Sequence, residues 1–202
     1  MPLKEYKTSQ TIRCKPLTPE GFGPFGTCIS AREQLGSSDK SSANYGTAVK
    51  LHKVSKIENL FANAPSGTEA TPNWNIFRCS PPNHLLQDID GELHYTAKVL
   101  ERHPFSSQTF IPMGVDKGNE NAYVVICGHK DDEAMPITDQ VEAFICRGDQ
   151  AVTYAPGTWH APMISLVDNL DFAVMIHENG VADEDCQECY YAPGYDVVIG
   201  RS

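Results

Sequence analysis

The chain has 202 residues, 41% of them apolar and 21% charged, with a formal net charge of −10. That is enough chain for one well-filled core, and the acidic balance argues against a nucleic-acid partner because it repels phosphate backbones. No apolar run reaches the length of a membrane span, and the opening MPLKEYKTSQTIRCKPL lacks the continuous apolar stretch of an export signal.

In chain order, two polar stretches read as surface loops: GSSDKSSAN (Gly36–Asn44) and NAPSGTEATPN (Asn63–Asn73). Neither is long enough to divide the chain, so residues 1–202 are expected to form a single domain. Five short runs rich in β-branched and aromatic residues read as strands: Thr47–His52, Trp74–Ser80, Ala122–Gly128, Ala151–Pro156 and Asp171–His177. Their spacing predicts a mainly β sandwich or barrel. Two helices are expected within it. One is TDQVEAFIC (Thr138–Cys146), where Asp139 and Glu142 have capping-box spacing, Val141, Phe144 and Ile145 form a stripe, and Gly148 supplies a stop. The other is VSKIENLFAN, where Ile57, Leu60 and Phe61 share a helical face.

The seven cysteines, at 14, 28, 79, 127, 146, 186 and 189, are scattered and odd in number. In a chain with no export signal and no peroxisomal SKL terminus they read as reduced thiols, with the cytoplasm as the expected compartment. Cys186-x-x-Cys189 has metal or redox spacing, but a second pair is missing, so it reads as two ordinary thiols.

Two segments carry chemistry. In HYTAKVLERHP, read as a strand, Tyr95, Ala97, Val99, Glu101 and His103 share one face, and Arg102 projects the other way. A carboxylate and an imidazole pointing into a barrel are costly unless paired with each other, a metal or a ligand. In TYAPGTWHAPM, Pro156-Gly157 is turn chemistry that returns His160 toward the sheet end, on the face opposite Trp159.

Together the segments resemble a degenerate pair of cupin motifs. Glu101-x-His103, Gln108 and Gly114 take the places of His-x-His, Glu and Gly, and Pro156-Gly157-x-x-His160 resembles the second motif. A closer resemblance is to the ureidoglycolate lyase family, especially its fungal form. It rests on LERHPFSSQTFIPMG, AFICRGDQAVTYAPGTWHAPM, NYGTAVK and DFAVMIHENGVADEDCQE.

That resemblance implies a cupin-like β-barrel (double-stranded β-helix) with a few short helices, a homodimer, and cleavage of (S)-ureidoglycolate into glyoxylate and urea during allantoin and purine breakdown. The implied catalytic set is His160, His103, Glu101 and Gln108: either His as base toward the substrate hydroxyl, Glu101 as acid or orienting group, and Gln108 as a neutral hydrogen-bond partner. For the substrate carboxylate, Arg78 is one candidate and the backbone around Asn44, Gly46 and Thr47 is another; Lys98 falls on the wrong strand face. Glu101, His103, Gln108 and His160 could also converge on one divalent ion, nickel or zinc, or work without metal; no organic cofactor is implied. Two other readings keep the barrel: a non-catalytic small-molecule binder, and another metal-dependent cupin enzyme.

Overall fold

The computed structural model describes residues 2–200. The principal strands are β1 (Lys4–Thr8), β2 (Gly26–Ile29), β3 (Thr71–Cys79), β4 (Glu92–Arg102), β5 (Gln108–Met113), β6 (Tyr123–Lys130), β7 (Pro136–Cys146), β8 (Ala151–Tyr154), β9 (Trp159–His160), β10 (Leu170–Glu178) and β11 (Gln187–Gly200). One curled sheet runs β1-β11-β4-β9-β6-β7, with shorter strands attached to its members; the other runs β2-β8-β5-β10-β3. Lys40–Ala43 and Ala48–Leu51 form a separate hairpin. The helices are four residues each: Pro19–Phe22, Ala31–Gln34 and Ala182–Asp185. This mainly β, barrel-like architecture with a few short helices is the fold class expected. No helix among the described residues is long and apolar enough to cross a membrane.

β6 and β7 lie between two core clusters. Val124, Ile126, Val141 and Ala143 enter one core cluster, with Leu100, Trp159, Tyr195 and Val197. The alternate residues Tyr123, Val125, Cys127, Phe144 and Cys146 enter a second, with Phe110, Val152, Tyr154, Phe172 and Val174. A ribbon buried on both faces has apolar residues at nearly every position rather than at every second one.

The same fact corrects the expected helix over Thr138–Cys146. It is the strand β7, paired antiparallel to β6 from Tyr123↔Cys146 to Gly128↔Val141. Val141 and Phe144 belong to opposite faces of a doubly buried strand, and their spacing imitates a helical stripe. Glu142 caps nothing; it meets Lys15 and His129. The second expected helix is also absent. Residues 54–60 are irregular, with Asn59 bridging Ser106, and only Phe61–Asn63 makes a 3-10 turn. Leu60 N–H donates to Phe105 O and Ser107 N–H to Glu58 O, so these backbone groups pair with a distant segment rather than along a helix.

The five expected strands are present with shifted ends, and the loop expected over Gly36–Asn44 includes a strand over Lys40–Ala43. One face assignment fails. Tyr95 and Ala97 pack in the same cluster as Leu100, an odd spacing from both. The partner strand β11 holds extra residues here, with Tyr190 opposite Val99 but Tyr195 opposite Ala97. A bulge of this kind adds twist, so alternation does not carry through the strand.

Candidate active site

The end of β4 delivers Glu101. In the sheet register Glu101 stands opposite His160 of β9 on one side and Glu188 of β11 on the other, and His160 stands opposite Cys127 of β6. Residues directly opposed across strands point to one face, so Glu188, Glu101 and His160 form a row. Leu100 and Arg102 face away. Arg102 stacks over the Trp159 ring at 4.7 Å and donates to Gln187 Oε1 and the Ala134 carbonyl.

His103 lies one residue past β4, before Pro104, and is tied to the second motif through the backbone: Gly157 N–H donates to His103 O at 2.8 Å. Gly157 has φ +72°, a left-handed value that a side chain would strain, and Thr158 N–H closes the turn on Ala155 O. This is why a Pro-Gly pair precedes His160 by so short an interval.

Each imidazole is held by its Nδ1. That of His103 is 2.6 Å from the Asp185 carbonyl oxygen, and that of His160 is 2.9 Å from the Thr158 carbonyl oxygen. A carbonyl only accepts, so both Nδ1 atoms carry the proton and both Nε2 atoms present a lone pair. Those Nε2 atoms are buried without a protein partner, as is Gln108 Oε1. His160 Nε2 is 3.7 Å from Glu101 Oε1. One donor atom from each of Glu101, His103 and His160 lies within 4.8 Å of the others. Tyr154 stacks on the His160 ring at 3.9 Å and fixes its plane.

The electrostatics separate the roles. Burial, with Glu188 adding repulsion, pushes the Glu101 carboxyl up to about 7. Burial, with His103 beside it, pulls the His160 imidazole down to about 3. Burial also lowers His103, against the opposing pull of the Asp185 carbonyl, which accepts from Nδ1–H, and of the Gln108 amide beside the ring. Near neutral pH the site therefore holds two uncharged imidazoles and a carboxyl poised between its two forms. Two orphaned imidazole nitrogens, a carboxylate and an orphaned amide oxygen suit a borderline divalent cation such as zinc or nickel.

Thus Glu101, His103, Gln108 and His160 are brought together. Asn44, Gly46 and Thr47 are not in this group; they form the tip of the separate hairpin, where Asn44, Tyr45 and Gly46 all have positive φ and Tyr45 is fully exposed. Arg78 is also elsewhere. Gln108 aligns with Ile176 and Asn73 across β5, β10 and β3, whereas Arg78 lies five residues further along, roughly 17 Å at strand rise. Its guanidinium is closed on Asp171 by two 2.8 Å bonds.

Sequence reasoning missed Glu188, Tyr154, Asp185 and Thr158 as parts of the site. Tyr154 and Thr158 lay within a segment already singled out. Glu188 opens β11, whose strand character was masked by Ala192-Pro193-Gly194. Cys186 and Cys189 are free thiols; an odd interval along extended backbone sends them to opposite faces, and burial raises both.

A barrel with a buried carboxylate–imidazole cluster at the end of its strands defines a small-molecule enzyme site of the acid–base or metal-assisted kind. The comparisons narrow this. A family model for ureidoglycolate lyase matches residues 9–198. The chain is 42% identical to a ureidoglycolate lyase of Saccharomyces cerevisiae over 94% of its own length and 98% of the relative's. It is 37% identical to one of Schizosaccharomyces pombe over 89% and 91% of the two chains. A Pseudomonas fluorescens ureidoglycolate lyase is 28% identical over 94% and 97%. The chain belongs to the ureidoglycolate lyase family.

Proposed function

We propose that this chain cleaves (S)-ureidoglycolate to glyoxylate and urea, as a step of allantoin and purine breakdown. The observation that carries the reading is the convergence of Glu101, His103 and His160, with both Nε2 lone pairs free, in a family member aligned over nearly its full length.

The substrate carbon bears a hydroxyl, a carboxylate, a hydrogen and the ureido nitrogen. His103 Nε2 takes the hydroxyl proton, the C–O bond becomes a carbonyl, and the C–N bond breaks with its electron pair leaving on nitrogen. Glu101, whose burial keeps it partly protonated at neutrality, gives its proton to that nitrogen, and the proton on His103 returns to Glu101 for the next cycle. His160, lowered to about 3, stays neutral and serves as a lone-pair donor. Gln108 offers a neutral amide to the ureido group. The redox state does not change and no covalent intermediate is needed.

The same atoms fit a divalent ion held by Glu101, His103 and His160 with Gln108 beside them. The charges acting most strongly on Glu101 and His103 come from Glu188, Glu178 and Asp185, all acidic, yet the substrate is an anion. Bound here, nickel or zinc would supply the positive charge that accepts the substrate carboxylate and lowers the hydroxyl pKa.

Four further assignments belong to this reading. Residues 1–202 act as one domain, since strands from both ends of the chain pair in one sheet. The protein works as a homodimer, favoured by the outer face of the second sheet, where Trp74, Ile76, Ile111 and Met113 are exposed together and β3 is an uncovered edge. Asn44, Gly46 and Thr47 contact the substrate only if the hairpin tip closes over a site, its own or a second copy's. Free thiols throughout favour the cytoplasm.

The test is direct. Purified protein given racemic ureidoglycolate should release glyoxylate and urea in equal amounts. Ammonia as the first nitrogen product would mean amide hydrolysis, and the lyase reading would fail.

A further inference from the structure

His103 owes its tautomer to one backbone carbonyl, that of Asp185, and this carbonyl belongs to a segment with little support of its own. Ala182–Asp185 is a single four-residue turn, closed by Glu184 N–H and Asp185 N–H on Val181 O and by Cys186 N–H on Ala182 O. A helix so short does not hold its shape unaided. Two carboxylates hold it instead. The Asp185 side chain folds back to accept from Asn179 N–H and Gly180 N–H, each at 2.8 Å. The Glu184 side chain reaches out of the segment: Oε1 accepts from Ser66 N–H, and Oε2 from Ser66 Oγ and Asn179 Nδ2, all at 2.7 Å.

Ser66 is 118 residues away in sequence, in a tight turn where Gly67 N–H donates to Ala64 O and Thr68 N–H to Ser66 Oγ. Glu184 therefore clamps the turn bearing Asp185 to a separate loop. It is 7% exposed, and the Ser66 and Asn179 groups that bond it are neutral. Burial works against its ionisation, and the donors of Asn179 and Ser66 outweigh that and hold its carboxyl below the usual range. Burying a carboxylate without a cation is expensive in general, so a purely space-filling role would be better served by an apolar residue.

We propose that Glu184, clamped on Ser66, is a positioning residue that holds the Asp185 carbonyl on His103 Nδ1 and so keeps the His103 Nε2 lone pair facing Glu101 and His160. If the carbonyl withdraws, His103 is free to take the other tautomer. Its proton then sits on Nε2, where it can neither accept the hydroxyl proton nor bind an ion. Partners of this kind change metal affinity about 10- to 100-fold in known sites. The inference rests on the placement of the reaction at His103, but its test does not require turnover.

The full chain, labelled with 15N-histidine and stripped of metal, gives the tautomer of His103 from long-range 1H–15N correlations, with the signal assigned by its loss in His103→Gln. The wild type should show Nδ1–H, Glu184→Gln should show a mixture or Nε2–H, and zinc affinity by calorimetry should fall at least tenfold. Ser66→Ala removes one bond from the clamp and should move both readouts in the same direction by less; Ser66→Thr, which keeps the hydroxyl, should restore them. Should Glu184→Gln not fold, the two Ser66 variants carry the comparison. A folded Glu184→Gln with His103 still Nδ1–H and unchanged zinc affinity overturns the proposal. A wild-type protein with the tautomer response but no ureidoglycolate cleavage would overturn the reaction assigned above and leave the clamp standing.

Discussion

Glu101 and Glu188 face each other directly across β4 and β11, two carboxylates on one side of a sheet whose next strand supplies His160. Like charges at such a position destabilise a sheet, and here the repulsion adds to burial in raising Glu101. Removing the charge with Glu188→Gln should lower the Glu101 pKa. If protonated Glu101 is the acid, the alkaline limb of kcat/KM should move to lower pH by several tenths of a unit to about one unit. A limb that stays in place in a folded variant would remove Glu188 from the tuning of Glu101.

The same raised pKa makes a stability prediction. Glu101 titrates near 7 when folded and near its ordinary 4.5 when unfolded, so the folded state binds the proton more tightly. The contribution is fully present below about 4.5 and is lost as pH rises through about 7. Glu101→Gln in metal-free protein should therefore gain stability over the wild type between pH 5 and pH 8, by about 3 kcal/mol at most. His160 has the opposite sign: its lowered pKa gives stability that is present above 6.5 and lost as pH falls toward 3. Chemical denaturation at both pH values measures the difference, and an Glu101→Gln gain that does not grow with pH would contradict the buried-acid assignment.

His103→Ala should lower kcat by about a hundredfold or more, the usual scale for an acid–base group, and His160→Ala, which removes the neutral lone pair beside Glu101, by a similar factor. Steady-state kinetics on folded variants checks this, with Cys186→Ser as a control expected to retain activity. Full activity in both His variants would place the chemistry elsewhere.

Exhaustive chelation distinguishes the two uses of the same side chains. Loss of activity restored by one equivalent of nickel or zinc makes Glu101, His103 and His160 ligands first. Unchanged kcat/KM at negligible metal content by elemental analysis leaves them as proton carriers.

The exposed face of β3 gives a test of assembly. If two copies pair through this face as proposed, Trp74→Glu combined with Ile76→Glu puts four like charges into their twofold contact. Light scattering across a dilution series should show the dissociation constant rising at least tenfold, with the monomer still folded. An unaltered dimer would move the interface to another surface.

Much of the site was legible in the sequence because it is local. Glu101 and His103 are two residues apart at a strand end, and Pro156-Gly157 forces His160 back onto the sheet within three residues; turn chemistry and strand alternation act over such distances without help from the rest of the chain. The strands around Trp74, Ala122, Ala151 and Asp171 were legible for the same reason. Tertiary structure decided the rest. β7 reads as a helix until β6 and two cores bury both of its faces, because periodicity reports how many faces are covered and not only the backbone period. The bulge in β11 cancels the alternation that would have put Tyr95 beside Glu101. Arg78 reads as a free cation until Asp171 is seen beside it. Glu188 stands beside Glu101, and the Asp185 carbonyl beside His103, across more than 80 residues of chain. Burial and long-range pairing set their effect, and neither exists until the strands have closed.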